Sequence, residues 1–241
     1  MINQTHFVID LETLGKGPNA PIVAIGAVCI MHGLLAGEFY ARVSLESSMA
    51  LGRQVDASTI IWWLQQERPA RAEIFDDGTM APFTLPAALG ALSEWMAYPW
   101  NDAGNARVWG NGSSFDNVIL RESYQACGLD LPWQFRFDRD LRTILELYPD
   151  AKDVGPLQGT KHHALHDASH EAKQLCKALR LHAGKADSRT VLHGLLAQAA
   201  DMLVNHDASI FERLPLADAI KGELENNPLI HQVEREEVSH V

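Results

Sequence analysis

Hydrophobic residues near the start of the chain occur as short runs that turn-forming residues separate. The runs contain many β-branched and aromatic residues and are too short for typical helices, so each one predicts a strand. The predicted strands cover residues 5–11, 22–31 and 38–43. A Gly-Lys-Gly-Pro-Asn segment at 15–19 and Gly33 lie between them as turns. The pattern therefore predicts an antiparallel meander of three strands.

Farther along the chain, the hydrophobic spacing changes mainly to the period of helices. The predicted helices cover residues 58–66, 85–98, 115–127 and 165–182; strands are predicted at 107–109 and at 135–141, the latter running into a helix that ends at Tyr148. Residues 60–64 are apolar on every side, which predicts that their helix is buried. The order β-β-β-α followed by β-α-β-α predicts an α/β domain of about 180 residues.

The composition changes after Gly184. Amphipathic spacing predicts two further helices, at 188–203 and near 216–224, and no motif there suggests chemistry. We therefore expect residues 1–184 to form the principal domain and residues 185–241 to form a helical C-terminal extension. This extension is a candidate for partner contact or for homodimer formation.

Composition and charge limit the possible functions. The 241 residues carry a formal net charge of −11, which argues against tight, non-specific duplex binding through a basic face. Three widely spaced cysteines predict free thiols, not a disulfide framework or a zinc knuckle. The sequence shows neither a signal peptide nor an apolar run long enough to span a membrane, so we expect a cytoplasmic location.

Four carboxylates and one histidine are the candidate site residues. Asp10 and Glu12 are two residues apart on a predicted strand, so both side chains point to one face. Asp116 begins a predicted helix. Asp167 follows His162 by five residues, a spacing of about 140° on a continuous helix. We therefore place His162 on a loop, where it can move over the site, and Asp167 in the first turn of the next helix.

Such a group of residues favours metal-dependent hydrolysis. Carboxylates gathered at one point repel each other unless cations hold them, and their hard oxygens suit Mg²⁺ or Mn²⁺. A neutral imidazole nearby can accept a proton from an attacking water. Two metals, four acids and one base meet the requirements of phosphodiester hydrolysis.

Each residue also has an ordinary structural explanation. Asp10 and Glu12 can be exposed acids at a strand edge, whereas Asp116 and Asp167 can complement helix dipoles. His162 can be a surface histidine. The spacing of His162, His166 and His170 resembles a zinc-binding face, but a matching ligand elsewhere is missing, so surface helix histidines are the preferred interpretation.

Taken together, three segments resemble the DEDDh branch of the DnaQ-like 3′–5′ exonucleases, which have the RNase H-like fold. The D-x-E-T block is matched by Asp10, Glu12 and Thr13, and the second block by Phe115 and Asp116. The H-x-A-x-x-D-A block is matched by His162, Ala164, Asp167 and Ala168. The resemblance covers roughly residues 5–180 and implies a mixed β-sheet flanked by helices.

Further segments look closest to one subgroup of that family. They are Glu12-Thr13-Leu14-Gly15, Trp62-Trp63 and Trp109-Gly110-Asn111-Gly112. The subgroup is the phage and bacterial one related to the nuclease region of exonuclease VIII and to a mycobacterial exoribonuclease. Many family members carry an asparagine four residues before the second-block aspartate. Here that position is Gly112, and Asn111 lies one residue earlier.

The resemblance implies a role for each matching residue. Asp10 would bridge two Mg²⁺ or Mn²⁺ ions, Glu12 and Asp167 would complete the first metal site, and Asp116 would support the second largely through water. His162 would be the general base. The products would be nucleoside 5′-monophosphates from the 3′ ends of single-stranded RNA or DNA or from 3′ overhangs. The candidate substrate contacts are the backbone of Leu11 to Thr13 and the side chains of Leu14 and Phe115.

Two alternatives remain open from the sequence. The His166-Asp167 pair resembles that of the all-helical HD phosphohydrolases, although the strand-rich first third argues against that fold. A catalytically inactive module that binds nucleic acid or protein is the other alternative. The presence of all four carboxylates and the histidine argues against it.

Overall fold

A computed structural model describes residues 4–72, 74, 81–97 and 105–183. The described strands are β1 (His6–Thr13), β2 (Ile22–Met31), β3 (Leu34–Arg42), β4 (Arg107–Gly110) and β5 (Asp138–Asp140). The helices are α1 (Leu45–Ala50), α2 (Ala57–Leu64), α3 (Arg68–Arg71), α4 (Leu85–Ala97), α5 (Asp116–Ala126), α6 (Leu141–Leu147) and α7 (Ala164–Ala183), with 3₁₀ turns at Phe135–Phe137 and Pro149–Lys152.

The strands of the described residues form one mixed sheet in the order β3-β2-β1-β4-β5. The β1–β2 and β2–β3 pairs are antiparallel, which confirms the predicted meander, and β4 and β5 continue the sheet parallel to β1. The register pairs Ile9 with Gly110, so β4 ends beside Asp10. The carboxyl ends of neighbouring parallel strands meet at one edge, where α/β proteins commonly place their sites.

Helices cover both faces of the sheet, and β1 alternates between the two cores. Phe7, Ile9 and Leu11 lie in a cluster with residues of α4 and α5, whereas Val8 lies in a second cluster with residues of α6 and α7. Because strand side chains alternate, Asp10 and Glu12 continue the face of Val8, which is the face that α7 covers. This mixed sheet excludes the all-helical HD architecture.

The start of α7 lies against the middle of β2 at Gly26. A Cβ atom at this position would stand 2.1 Å from the carbonyl carbon of Ala164 and 2.3 Å from the backbone nitrogen of Leu165. No side chain fits between the two backbones, so glycine is required for this approach. Gly26 pairs with Asp10 across the sheet, and the contact therefore brings the first turn of α7 next to the acids of β1.

The prediction that the helix at 58–66 is buried was wrong. In α2 (Ala57–Leu64), Ile61 is 57% exposed, Leu64 55% and Trp62 40%. Only one side packs: Trp63 enters a small cluster with Leu14, and its indole nitrogen donates a hydrogen bond to the carbonyl of Thr13 at 3.0 Å. A helix with apolar residues on every side can be fully buried or buried on one side only, and the sequence pattern is the same in both cases.

Most other boundaries agree with the predicted elements within a few residues. The third strand begins earlier than predicted, at Leu34, and the short helices α1 and α3 were not predicted. Cys29 and Cys176 are buried free thiols, as expected, and Cys127 is partly exposed. The predicted helices after residue 184, and with them the proposed dimer contact, lie outside the described residues. Among the helices that are described, none has the length and apolar character to cross a membrane.

Candidate metal centre

Asp10 and Glu12 lie on the α7 side of β1, near its carboxyl end. Asp10 is partly exposed, whereas Glu12 is 7% exposed. Desolvation by burial raises the pKa of Asp10 well above its usual value, and nearby carboxylates, including Glu12, raise it further. The ionised form of Asp10 is therefore unfavourable unless a cation is near it.

Asp116 begins α5 and is 4% exposed. The backbone N–H of Leu11 donates to its Oδ1 at 3.4 Å, which joins the start of α5 to β1. Gly110 permits this approach, because a Cβ there would lie 2.9 Å from the Cβ of Asp116. Burial raises the pKa of Asp116 to about 7, although the hydrogen bond from Leu11 opposes the shift.

His162 and Asp167 divide between loop and helix as predicted. His162 precedes α7 with a positive φ of 63°, and Asp167 lies in the first turn of that helix. The backbone N–H of His162 donates to Oδ2 of Asp167 at 2.7 Å, which holds the loop to the helix. Burial raises the pKa of Asp167, while this hydrogen bond lowers it.

The fold brings three of the five predicted residues, Glu12, His162 and Asp167, within ligand distance of one another, and it places Asp10 and Asp116 near them. Glu12, His162 and Asp167 each offer a ligand atom within 4.8 Å of the others. The charges of Glu12, Asp116 and Asp167 all raise the pKa of Asp10, so these acids lie within short electrostatic range of it. Acids from β1, α5 and α7 thus converge at the carboxyl edge of the sheet.

The structure adds a fifth carboxylate that sequence reasoning missed. Glu171 lies on α7 four residues after Asp167, hence on the same helix face, and it is 6% exposed. Its charge is the largest charge contribution to the raised pKa of Asp10. Burial, followed by the charge of Asp116, raises the pKa of Glu171 itself to about 8. The i, i+4 spacing from Asp167 was the available sequence signal.

Aromatic rings surround His162. The ring of Trp62 lies 5.0 Å from that of His162 in an edge-on arrangement. His163 and His166 are partly buried and stack at 3.8 Å, with Tyr40 stacked on His163 at 4.7 Å. Burial, followed by the charge of His166, lowers the pKa of His163 to about 4.

The predicted substrate contacts differ in how accessible they are. Thr13 donates its hydroxyl to the carbonyl of Gly15 at 2.8 Å, and Leu14 is 6% exposed within the cluster around Trp63. Phe115 is partly exposed and packs against the core. The N–H of Leu11 is engaged by Asp116, as described above.

The residues present fit a divalent cation. The donor set is mainly carboxylate oxygen, which Mg²⁺ and Mn²⁺ prefer. One oxygen of Glu171 is buried without a hydrogen-bond partner among the described residues. Repulsion and burial oppose the ionised acids, and cations at their centre would remove that penalty.

Comparisons with known proteins show that the chain is similar to exonucleases. A family model described as the 3′–5′ exoribonuclease Rv2179c-like domain matches residues 5–179. The chain is similar to the exodeoxyribonuclease of Enterobacteria phage T4, with 26% identity over 214 residues that cover 76% of this chain and 92% of that protein.

Solved structures show the same fold. The zinc-bound complex of E. coli ExoI with single-stranded DNA has a TM-score of 0.53 at 12% identity, covering 86% of this chain and 46% of that one. Cell-death related nuclease 4 has a TM-score of 0.52 at 14% identity, covering 74% and 64%. The chain belongs to the Rv2179c-like 3′–5′ exoribonuclease domain family and is a DnaQ-like 3′–5′ exonuclease.

Proposed function

We propose that the enzyme uses two divalent metal ions to release nucleoside 5′-monophosphates from the 3′ ends of single-stranded RNA or DNA, or from 3′ overhangs. The observation that carries this proposal is the convergence of Asp10, Glu12, Asp116 and Asp167 beside His162. A non-catalytic module has no use for so many buried, mutually repelling acids, which cost stability in the absence of cations.

Asp10, Glu12, Asp116 and Asp167 would hold the ions, which we propose are Mg²⁺ or Mn²⁺. When bound, such ions lower the pKa of water and stabilise the charge on the phosphate and on the leaving 3′-oxygen. The protein helps to fix the carboxylates, because the Leu11–Asp116 hydrogen bond joins β1 to α5 and the His162–Asp167 hydrogen bond holds the loop to the first turn of α7.

His162 would accept the proton of the attacking water on a ring nitrogen. Burial lowers its pKa, so the imidazole stays neutral and basic near pH 7, although the charge of Asp167 works against this shift. Its backbone N–H is held by Asp167, while the ring lies beside Trp62. The geometry therefore supports a base that is placed next to the acids.

The uncovered face of α2 is a candidate contact for the substrate bases, in addition to the proposed contacts at Leu11, Thr13, Leu14 and Phe115. Leu14 is largely buried, whereas Trp62 is 40% exposed and makes an edge-on contact with the ring of His162. Stacking of a base on an indole does not require a particular sequence. This contact would allow a chain of net charge −11 to hold a strand end without a basic face.

The proposed reaction is tested with matched end-labelled RNA and DNA oligomers that have free or blocked 3′ ends. We expect nucleoside 5′-monophosphates to appear from free 3′ ends in Mg²⁺ or Mn²⁺ and to be absent with a chelator. Release of nucleoside 3′-monophosphates, or equal digestion of blocked ends, would contradict the proposal.

Trp62→Ala should raise KM by about 5- to 150-fold, because stacking of one base on an aromatic ring contributes about 1–3 kcal/mol. Trp62→Phe should recover most of the loss, since a phenyl ring also stacks. Steady-state kinetics on a single-stranded oligomer measure both values. Leu181→Ala, at a 42% exposed apolar residue near the end of α7, is the matched control. An unchanged KM for Trp62→Ala would show that this face of α2 does not contact the substrate.

A further inference from the structure

Glu171 has a buried oxygen that the protein does not satisfy. The residue is 6% exposed, and its Oε2 has no hydrogen-bond partner among the described residues. A buried carboxylate oxygen without a partner is costly, and removal from water opposes its charge strongly. Its acidic neighbours Asp10 and Asp116 increase the cost, because like charges repel. The missing partner is therefore expected to be a positive group from outside the chain.

The other oxygen of Glu171 is fixed by a chain of hydrogen bonds. The side-chain amide of Asn111 donates to Oε1 at 2.7 Å. The amide oxygen of Asn111 accepts from Nε of Arg142 at 3.2 Å. Arg142 and Asn111 also line a cavity of about 460 Å³. Asn111 thus provides a partner for Oε1, and Oε2 is the oxygen that has none.

A nearby arginine balances the charge that a fifth carboxylate would add to the site. Two divalent ions neutralise four carboxylates, so a fifth carboxylate leaves one negative charge in excess. Arg142 carries a positive charge close enough to favour the ionised forms of Asp116 and Glu171. The arginine thus compensates for the additional acid from outside the cluster, without occupying Oε2.

We propose that Glu171 is an additional ligand of the metal centre through Oε2, with Asn111 and Arg142 fixing its orientation. This inference rests on the proposed metal-dependent function. It assigns a ligand beyond the four carboxylates that the sequence motifs identify, and it gives Asn111 a positioning role from its place next to β4.

The test is a calorimetric titration of Mn²⁺ into the full chain without nucleic acid. Glu171→Gln keeps the shape of the side chain and an oxygen for Asn111, but replaces Oε2 by an amide nitrogen that cannot bind a cation. We expect its Mn²⁺ affinity to fall by at least about 10- to 100-fold, the range that loss of a supporting group causes. Glu171→Asp, which keeps the charge, should bind more tightly than Glu171→Gln.

Controls separate this inference from the function on which it rests. Glu122→Gln removes one exposed charge from α5 and should bind Mn²⁺ like the unmodified chain. Without metal, Glu171→Gln should melt at the same temperature as the unmodified chain or higher, because a buried acid has been removed. If Asp10→Asn loses Mn²⁺ binding and Glu171→Gln keeps it, Glu171 is not a ligand and the proposed function stands. If the unmodified chain binds no Mn²⁺, both proposals fail.

Discussion

Asp10→Asn is expected to abolish nucleotide release and to leave the chain folded. The charges of Glu12, Asp116, Asp167 and Glu171 all act on Asp10, so this acid lies within the combined field of the cluster. Asparagine keeps the size of the side chain but removes the anionic oxygen. The activity loss should exceed the roughly 10- to 100-fold that follows loss of an outer partner of a metal ligand.

Folding and activity are separated by measuring both on the same sample. Because burial and neighbouring acids raise the pKa of Asp10, its ionisation is less favourable in the folded chain than in the unfolded chain, and it lowers stability as pH rises. Asp10→Asn should therefore match or exceed the Tm of the unmodified chain at neutral pH without metal, as measured by circular dichroism. Asp130→Asn, at an exposed position, is the charge-matched control. Activity within tenfold of normal would show that Asp10 is not a ligand.

His162→Ala is expected to lower kcat by about 10²- to 10⁴-fold, the usual contribution of a positioned general base. Calorimetry should show that Mn²⁺ binding persists, since the four carboxylates remain. Single-turnover release from a labelled oligomer, at saturating metal, measures the chemical step. Partial recovery on addition of free imidazole would support the role of a base. An unchanged single-turnover rate would exclude that role.

The pH profile distinguishes a base from a structural histidine. Burial lowers the pKa of His162, so the neutral, basic form persists below the ordinary value of about 6.5. Activity should therefore hold as pH falls through 6.5 and decline only at lower pH, where the imidazole becomes protonated. The activity of His162→Ala should lack this decrease at low pH, to the extent that protonation of His162 causes it. Identical profiles for the two chains would contradict the assignment.

Local sequence was sufficient to predict much of the sheet and the placement of the acids. The strand around Asp10 and the helix α7 can each be recognised from a short segment of sequence, because burial of one face sets the spacing of their apolar residues. The i, i+2 spacing of Asp10 and Glu12 fixes a common face in any strand. The five-residue interval between His162 and Asp167 likewise requires a break before the helix.

The features that were missed depend on contacts between distant segments. Trp62 is exposed because few residues pack against that side of α2, and local sequence does not predict which side of a helix other segments cover. The burial of Glu171 depends on Asn111, 60 residues earlier in the chain. The stacking of His163 on Tyr40 joins a loop to β3, a pairing that single-sequence periodicity does not contain.

The absence of a side chain at Gly26 limits how this protein and its relatives can diverge. The atoms that a methyl group would strike belong to the main chain of residues 164 and 165, so no substitution at those two positions can make room for it. An alanine at 26 would have to push the beginning of α7 outward, and Asp167 with it. We therefore expect active relatives to keep glycine at this position in the strand. A relative with another residue there is expected to be inactive.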